Sequence, residues 1–160
     1  MMPVEMTLIN NIPTNTNPRA FRQEVGNQPN IGWLHFLDDN FHPKQEPKGF
    51  WTRGPNTAEM VLKTYYPVKN LAFHLLNNPR IRNEITVKVG RQRKKFVLGK
   101  NQRGTLNFST GKGFRIGKYI HLYKIKVKAS KGSIPYFEEK KNEERRFIGT
   151  LFEIEITRGE

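Results

Sequence analysis

From Phe50 onward, apolar residues recur at every second position, and this period of two constrains the fold more than any other feature of the chain. Ala58, Met60 and Leu62 alternate with Glu59, Val61 and Lys63; Leu71, Phe73 and Leu75 form a second stripe; Ile85, Val87 and Val89 alternate with Glu84, Thr86 and Lys88. Successive side chains of a strand point to opposite faces, so alternation of this kind marks strands with one face buried. Gly90-Arg91-Gln92 reads as a turn into Lys95-Phe96-Val97-Leu98, and Gly99, Asn101 and Gly104 turn the chain again into Thr105-Leu106-Asn107-Phe108. The longest strand is expected over Tyr119 to Ala129. There Tyr123, Ile125 and Val127 face one way and Lys124, Lys126 and Lys128 the other. A last strand follows from Ile148, Thr150, Phe152, Ile154 and Ile156, after a short edge-like piece at Ile134-Pro135-Tyr136-Phe137 and a charged run from Glu138 to Arg146 that reads as an exposed loop or a helical turn.

About eight short strands at near-regular spacing, with no amphipathic helix between them, predict an all-β antiparallel β-sandwich of jelly-roll-like form. The strands are too many for a five-stranded oligonucleotide-binding barrel. Residues 1–48 read differently. Asn10 to Pro18 is a loop by composition, Val4, Met6 and Leu8 allow one short strand, and Trp33-Leu34-His35-Phe36-Leu37 is a strand or a helical turn. The expected organisation is an extended N-terminal segment over 1–48 that packs Trp33 and Phe36 on a sandwich domain over 49–157.

Charge is distributed with the same unevenness. Of the 28 Lys and Arg, half lie between Ile85 and Phe137, a stretch containing none of the 14 Asp and Glu. The remaining charges cancel, so the whole net charge of +14 belongs to that stretch. Such a field attracts phosphate, sulfate, acidic sugars or anionic head groups. Two anion-binding candidates result. Lys124, Lys126 and Lys128 form a stripe ~13–14 Å long on one sheet face at the strand rise of about 3.4 Å. Arg91, Arg93, Lys94 and Lys95 form a second cluster on the neighbouring hairpin. Trp51 is a candidate for stacking on a sugar ring, with packing beside Phe50 as its structural alternative. Arg53 is expected to pair with a carboxylate such as Glu59.

No catalytic constellation emerges. With no cysteine, there is no disulfide, thiol nucleophile or cysteine-ligated metal. His35-Phe36-Leu37-Asp38-Asp39-Asn40-Phe41-His42 contains two imidazoles and two carboxylates, but its spacing matches no metal motif, and loop polar residues are its expected role. Gly111-Lys112-Gly113-Phe114-Arg115-Ile116-Gly117 is glycine-rich and basic, yet a phosphate loop needs a strand before it and a helix after it with Lys followed by Ser or Thr, so a hairpin connection is expected. Glu138-Glu139 and Glu143-Glu144 sit among neutralising bases, and His74 and His121 fall inside strand patterns as face-lining or hydrogen-bonded residues. No catalytic residue, metal or cofactor is predicted.

Several residues in order and spacing resemble a known family. Gly49-Phe50-Trp51-Thr52-Arg53-Gly54, Ala58-Glu59, Gly113-Phe114, Gly132-Ser133-Ile134-Pro135 and Arg146-Phe147-Ile148-Gly149 together resemble a β-sandwich accessory domain found at the extracytoplasmic C-terminal end of some bacterial membrane proteins, including glycosyltransferase-like ones. The resemblance spans about residues 49–156 and implies an all-β, envelope-facing, non-catalytic module. The resulting expectation is a binding or assembly module of the bacterial envelope, at the periplasm or cell surface, whose basic face meets an acidic glycan, a lipid head group or a protein, with peripheral membrane contact. Its rival is a cytoplasmic nucleic-acid-binding protein, in which the bases between Lys88 and Lys131 act with Phe96, Phe108, Phe114, Tyr119 and Tyr123. Met1 to Thr7 lacks the order of a secretory signal, so the envelope reading requires a signal or span preceding residue 1.

Overall fold

A computed structural model describes residues 21–25, 31–45, 48–132 and 148–159. The described residues form twelve strands and no helix: β1 (Arg22–Val25), β2 (Gly32–Phe36), β3 (Phe41–Gln45), β4 (Lys48–Thr52), β5 (Thr57–Thr64), β6 (Val68–Asn77), β7 (Asn83–Val89), β8 (Gln92–Leu98), β9 (Arg103–Ser109), β10 (Phe114–Ile116), β11 (Ile120–Ala129) and β12 (Thr150–Arg158). Sheet A has the order β1-β2-β5-β11-β7-β8, with β10 beside the start of β11; sheet B has the order β3-β4-β12-β6-β9. Every pairing is antiparallel.

The chain order is that of a jelly roll. Counting β4 to β9, β11 and β12 as first to eighth, sheet B runs 1-8-3-6 and sheet A runs 2-7-4-5, so each successive strand except the hairpin β7–β8 crosses to the other sheet. The N-terminal residues are woven into both sheets. Leu34 pairs with Leu62 and Phe36 with Met60, while β3 and β4 form one hairpin through Lys44↔Gly49 and Gln45↔Lys48. A division at residue 48 therefore falls inside that hairpin. The expected strands and loops at residues 4–8 and 134–146 lie outside the described residues.

The period of two becomes the core. Ala58, Met60 and Leu62 of β5, Ile85 and Val87 of β7, and Ile125 and Val127 of β11 are all fully buried against sheet B. Phenylalanines then link the layers: Phe36 meets Phe41 at 3.9 Å and Phe50 at 5.2 Å, Phe50 stacks on Phe152 at 5.4 Å, and Phe73 meets Phe152 at 6.4 Å and Phe108 at 5.5 Å. Each such pair contributes about 0.5–1.5 kcal/mol beyond the area it buries. Tyr123 is also inside, its hydroxyl donating to Gly111 O at 2.6 Å and accepting from Val68 N at 2.9 Å.

The two long sides of the sandwich are closed by polar side chains. On one, Gln23 reaches from β1 to Lys44 O and Gly49 O at 3.1 and 3.0 Å. On the other, Lys94 of β8 donates to Asn107 O and lies over the Phe108 ring at 5.0 Å. One end is tied by a buried amide cluster. Asn77 Nδ2 donates to Ile81 O, Leu98 O and Gly99 O at 2.6, 3.2 and 2.9 Å, while Asn77 Oδ1 accepts from Asn83 Nδ2 at 2.8 Å and Thr150 Oγ1 at 3.1 Å. Because β6, β7, β8 and β12 all terminate there, one side chain satisfies backbone groups of several crossings that cannot pair with one another.

Candidate functional site

β11 changes character halfway along its outer face. Ile120 and Leu122 are half-buried and apolar; Lys124, Lys126 and Lys128 follow with the same alternation. The neighbours of β11 decide what the lysines form. Lys126 stands between Glu59 of β5 and Lys88 of β7, and Lys88 stands beside Arg93 of β8. In the adjacent row, Lys128 stands between Thr57 and Thr86, with Lys95 beyond Thr86. Two cationic rows thus cross three strands and line a groove of about 360 Å³, together with Glu84 and Ser130. Neighbouring strands are ~4.8 Å apart and same-face residues along a strand ~6.8 Å apart.

This clustering carries an electrostatic cost. At ~6 Å in water, two like charges repel by roughly 0.7 kcal/mol, and several such pairs meet here. Glu59 offsets part of it, with its carboxylate 4.0 Å from Lys126 Nζ. An anion in the groove would offset the rest. The groove also offers the hydroxyls of Thr57, Thr86 and Ser130 and one carboxylate, that of Glu84. Its far end is held by the amide cluster, since Asn83 Oδ1 accepts from Ser130 Oγ at 3.2 Å and from Lys131 N at 2.7 Å, and Ser130 Oγ accepts from Glu84 N at 3.0 Å.

The two predicted anion-binding sets therefore merge, with changes. Lys126, Lys128, Arg93 and Lys95 share the groove, Lys124 extends the same face, and Lys88, Thr86 and Glu84 join them. Lys94 does not belong. It has the opposite parity on β8 and caps the sandwich edge through Asn107 and Phe108. Arg91 does not belong either, because it occupies the two-residue β7–β8 turn behind Gly90, whose φ is 59°. Glycine at the first central position suits a tight hairpin turn that an L side chain resists.

Trp51 lies on the other sheet. It is half-buried on β4, in register with His42 and Leu151, so the structure does not bring it to the cationic groove. The expected Arg53–Glu59 pair is absent: Arg53 Nη1 meets Asp39 Oδ2 at 3.5 Å, because Arg53 lies beyond β4, beside the β2–β3 loop, while Glu59 projects toward Lys126. His35 and His42 are divided between the sheets. Desolvation, followed by the charges of Lys63 and Arg22, holds the His35 imidazole below its ordinary range. Asp38 is a loop-forming residue whose carboxylate accepts from Asn40 N at 2.9 Å and Glu59 N at 3.0 Å; burial nonetheless pushes its carboxyl up. Among the described residues, no three His, Asp or Glu side chains gather to hold a metal.

The glycine-rich 111–117 stretch is a hairpin connection, with β10 paired on β11 and φ of 66° at Gly113 and 67° at Gly117. His74 is exposed between Thr105 Oγ1 at 3.2 Å and Glu155 Oε1 at 2.8 Å, whereas His121 is buried with Nδ1 2.7 Å from Lys112 O. Of the aromatics interleaved with the bases, Phe108 and Tyr123 are buried and Phe96 packs against the core, so none of these three lines the cationic face.

No protein-family model matches the chain, and no curated protein matches it. Among solved structures, it is similar to the secreted serine protease VesC from Vibrio cholerae at 15% identity and a TM-score of 0.42, with 97% of this chain covering 27% of the protease. It is also similar to TmCBM61 in complex with beta-1,4-galactotriose, at 7% identity and a TM-score of 0.38, covering 80% and 88% of the two chains. A third is CBM29_1, a family 29 carbohydrate-binding module from Piromyces equi, at 11% identity and a TM-score of 0.29, covering 82% and 90%. All three scores lie below 0.5.

Proposed function

We propose that this domain is a non-catalytic binding module whose sheet A groove holds an acidic glycan. The observation that carries the proposal is the pair of cationic rows, with Lys88, Arg93, Lys95, Lys126 and Lys128 set around about 360 Å³ of open groove on one rigid sheet. The strands fix where each cation is rooted, so binding orders only the Lys and Arg side chains and not the backbone. The threonine and serine hydroxyls between them match the hydroxyls of a sugar ring, and the Glu84 carboxylate can accept a hydrogen bond from a sugar hydroxyl. Base stacking on this face finds no aromatic among the groove residues. An extracytoplasmic place in a bacterial envelope accords with the resemblance over residues 49–156, and such a place is where acidic glycans are met.

The test is calorimetric titration of the purified protein with an oligouronate, its neutral oligosaccharide counterpart and single-stranded DNA. The oligouronate should bind, with affinity falling steeply on adding salt, and the triple variant Lys88→Gln/Arg93→Gln/Lys126→Gln should lose at least about tenfold at an unchanged melting temperature, as a few charge-assisted hydrogen bonds imply. Equal binding of the neutral sugar, or tighter binding of DNA through the same residues, would sink the proposal.

A further inference from the structure

The opposite end of the same sheet carries a different surface. Phe114 and Tyr119 are each 70% exposed, Tyr65 is 52% exposed and Ile116 is 50% exposed. The register draws them together: Phe114 pairs with Leu122, which pairs with Lys63 two residues before Tyr65, and Ile116 pairs with Ile120. Every residue from Gly111 to Tyr119 is exposed, so this hairpin is a projecting tip rather than the wall of a pocket. Large apolar side chains at such a tip are costly to leave in water.

The tip is also basic. Lys112, Arg115 and Lys118 alternate with the apolar residues, Lys63 Nζ lies over the Tyr65 ring at 5.4 Å, and no Asp or Glu occurs anywhere from Ile85 through the hairpin to Gly132. The nearest acid along the Phe114 row is Glu24, beyond Trp33 on β1 and already paired with Lys48 at 3.2 Å. The hairpin is held in place from behind by Tyr123 Oη on Gly111 O at 2.6 Å and His121 Nδ1 at 2.7 Å from Lys112 O. A Cβ on Gly113 would lie 2.6 Å from Leu122 O, so the loop is pressed onto β11 without a gap.

We infer that the β10–β11 hairpin docks on an anionic lipid bilayer. A bilayer surface offers a plane of negative charge directly above an apolar phase, and the tip presents both complements together. Phe114, Ile116 and the Tyr119 and Tyr65 rings supply exposed apolar and amphipathic surface for the acyl boundary and head-group level, and the flanking cations meet anionic lipid. A sugar surface would find rings here but no use for Ile116. The groove lies on the same outer face but farther along β11, Lys126 being six residues, or ~20 Å, from the Ile116–Ile120 row.

Vesicle co-sedimentation tests this on the full chain. Wild type should sediment with phosphatidylcholine vesicles containing phosphatidylglycerol and stay in solution with pure phosphatidylcholine. The variant Phe114→Ser/Ile116→Ser/Tyr119→Ser leaves the anchoring bonds and the core untouched and should lose at least about tenfold in vesicle affinity at an unchanged melting temperature. The groove variant Lys88→Gln/Arg93→Gln/Lys126→Gln should retain vesicle binding within about threefold, because the sites lie apart on the strand. Absence of wild-type binding to anionic vesicles, full binding by the apolar variant, or capture of the tip by an acidic protein in preference to vesicles would each overturn the inference.

Discussion

Replacing Asn77 by alanine should destabilise the sandwich more than its size suggests. Its carboxamide is fully buried and joins the ends of β6, β7, β8 and β12. Alanine would leave Asn83 Nδ2 and Thr150 Oγ1, both on buried residues, without their acceptor, and would remove the donor serving Ile81 O, Leu98 O and Gly99 O. A buried group stripped of its partner costs about 1–3 kcal/mol, and carbonyls, with two lone pairs, suffer less than donors. The Thr150 hydroxyl can turn toward another oxygen, and Ile81 and Gly99 are only half-buried, so water reaches part of the gap. A net loss of about 3 kcal/mol is expected, a large part of the ~5–15 kcal/mol that holds a typical domain together. Urea denaturation gives the number directly: the midpoint should fall with the slope unchanged, while the exposed control Asn107→Ala should move it by less than about 0.5 kcal/mol. Since the same cluster positions Ser130 beside Glu84, oligouronate affinity should weaken in the Asn77 variant even where it remains folded. A loss below about 1 kcal/mol would refute the reasoning, because it would mean that water or rearrangement satisfies the cluster.

Three further outcomes are expected. Phe152→Ala should cost about 3–5 kcal/mol by equilibrium unfolding, since Phe152 is fully buried between Phe50 and Phe73 and the stack leaves a cavity. Gly49→Ala should lower the melting temperature, because its Cβ would fall 2.6 Å from the Phe152 carbonyl oxygen, a backbone atom that cannot yield; the overpacking cost is about 1–3 kcal/mol, and an unchanged transition would contradict the close approach of β4 to β12. The His35 imidazole, held below its ordinary 6.5, favours the folded state only while neutral. Its contribution is therefore complete above pH 6.5 and is lost as pH falls through the lowered folded value, so His35→Gln should flatten the decline of the melting temperature on that acid side.

The fold class lay open in the sequence because burial on one face of a strand writes itself as alternation. Ala58-Met60-Leu62, Ile85-Val87 and Ile125-Val127 each declare an inner face, and the glycine turns at 90 and 99 declare the hairpins, so the sandwich and the outward parity of Lys124, Lys126 and Lys128 follow from local pattern alone. Which strands become neighbours does not follow, since pairing is a contact between distant segments and leaves no local period. Only the register set Lys126 between Glu59 and Lys88 and placed Arg93 beside Lys88, turning a stripe into a two-row groove. Parity read on β11 was sufficient, yet on β8 the run Arg93-Lys94-Lys95 is uniformly charged, and only its register with Val87 and its seat over Phe108 show that Lys94 caps the edge on the face opposite the groove. The amide cluster was hidden for the same reason: Asn77, Asn78 and Asn83 look like an ordinary polar loop until the crossings of a jelly roll bring unpaired backbone groups to meet them. Alternation and composition could state that this chain is a basic all-β domain; the tertiary structure alone decided where its charge gathers, because a groove is a property of neighbours and a sequence records only succession.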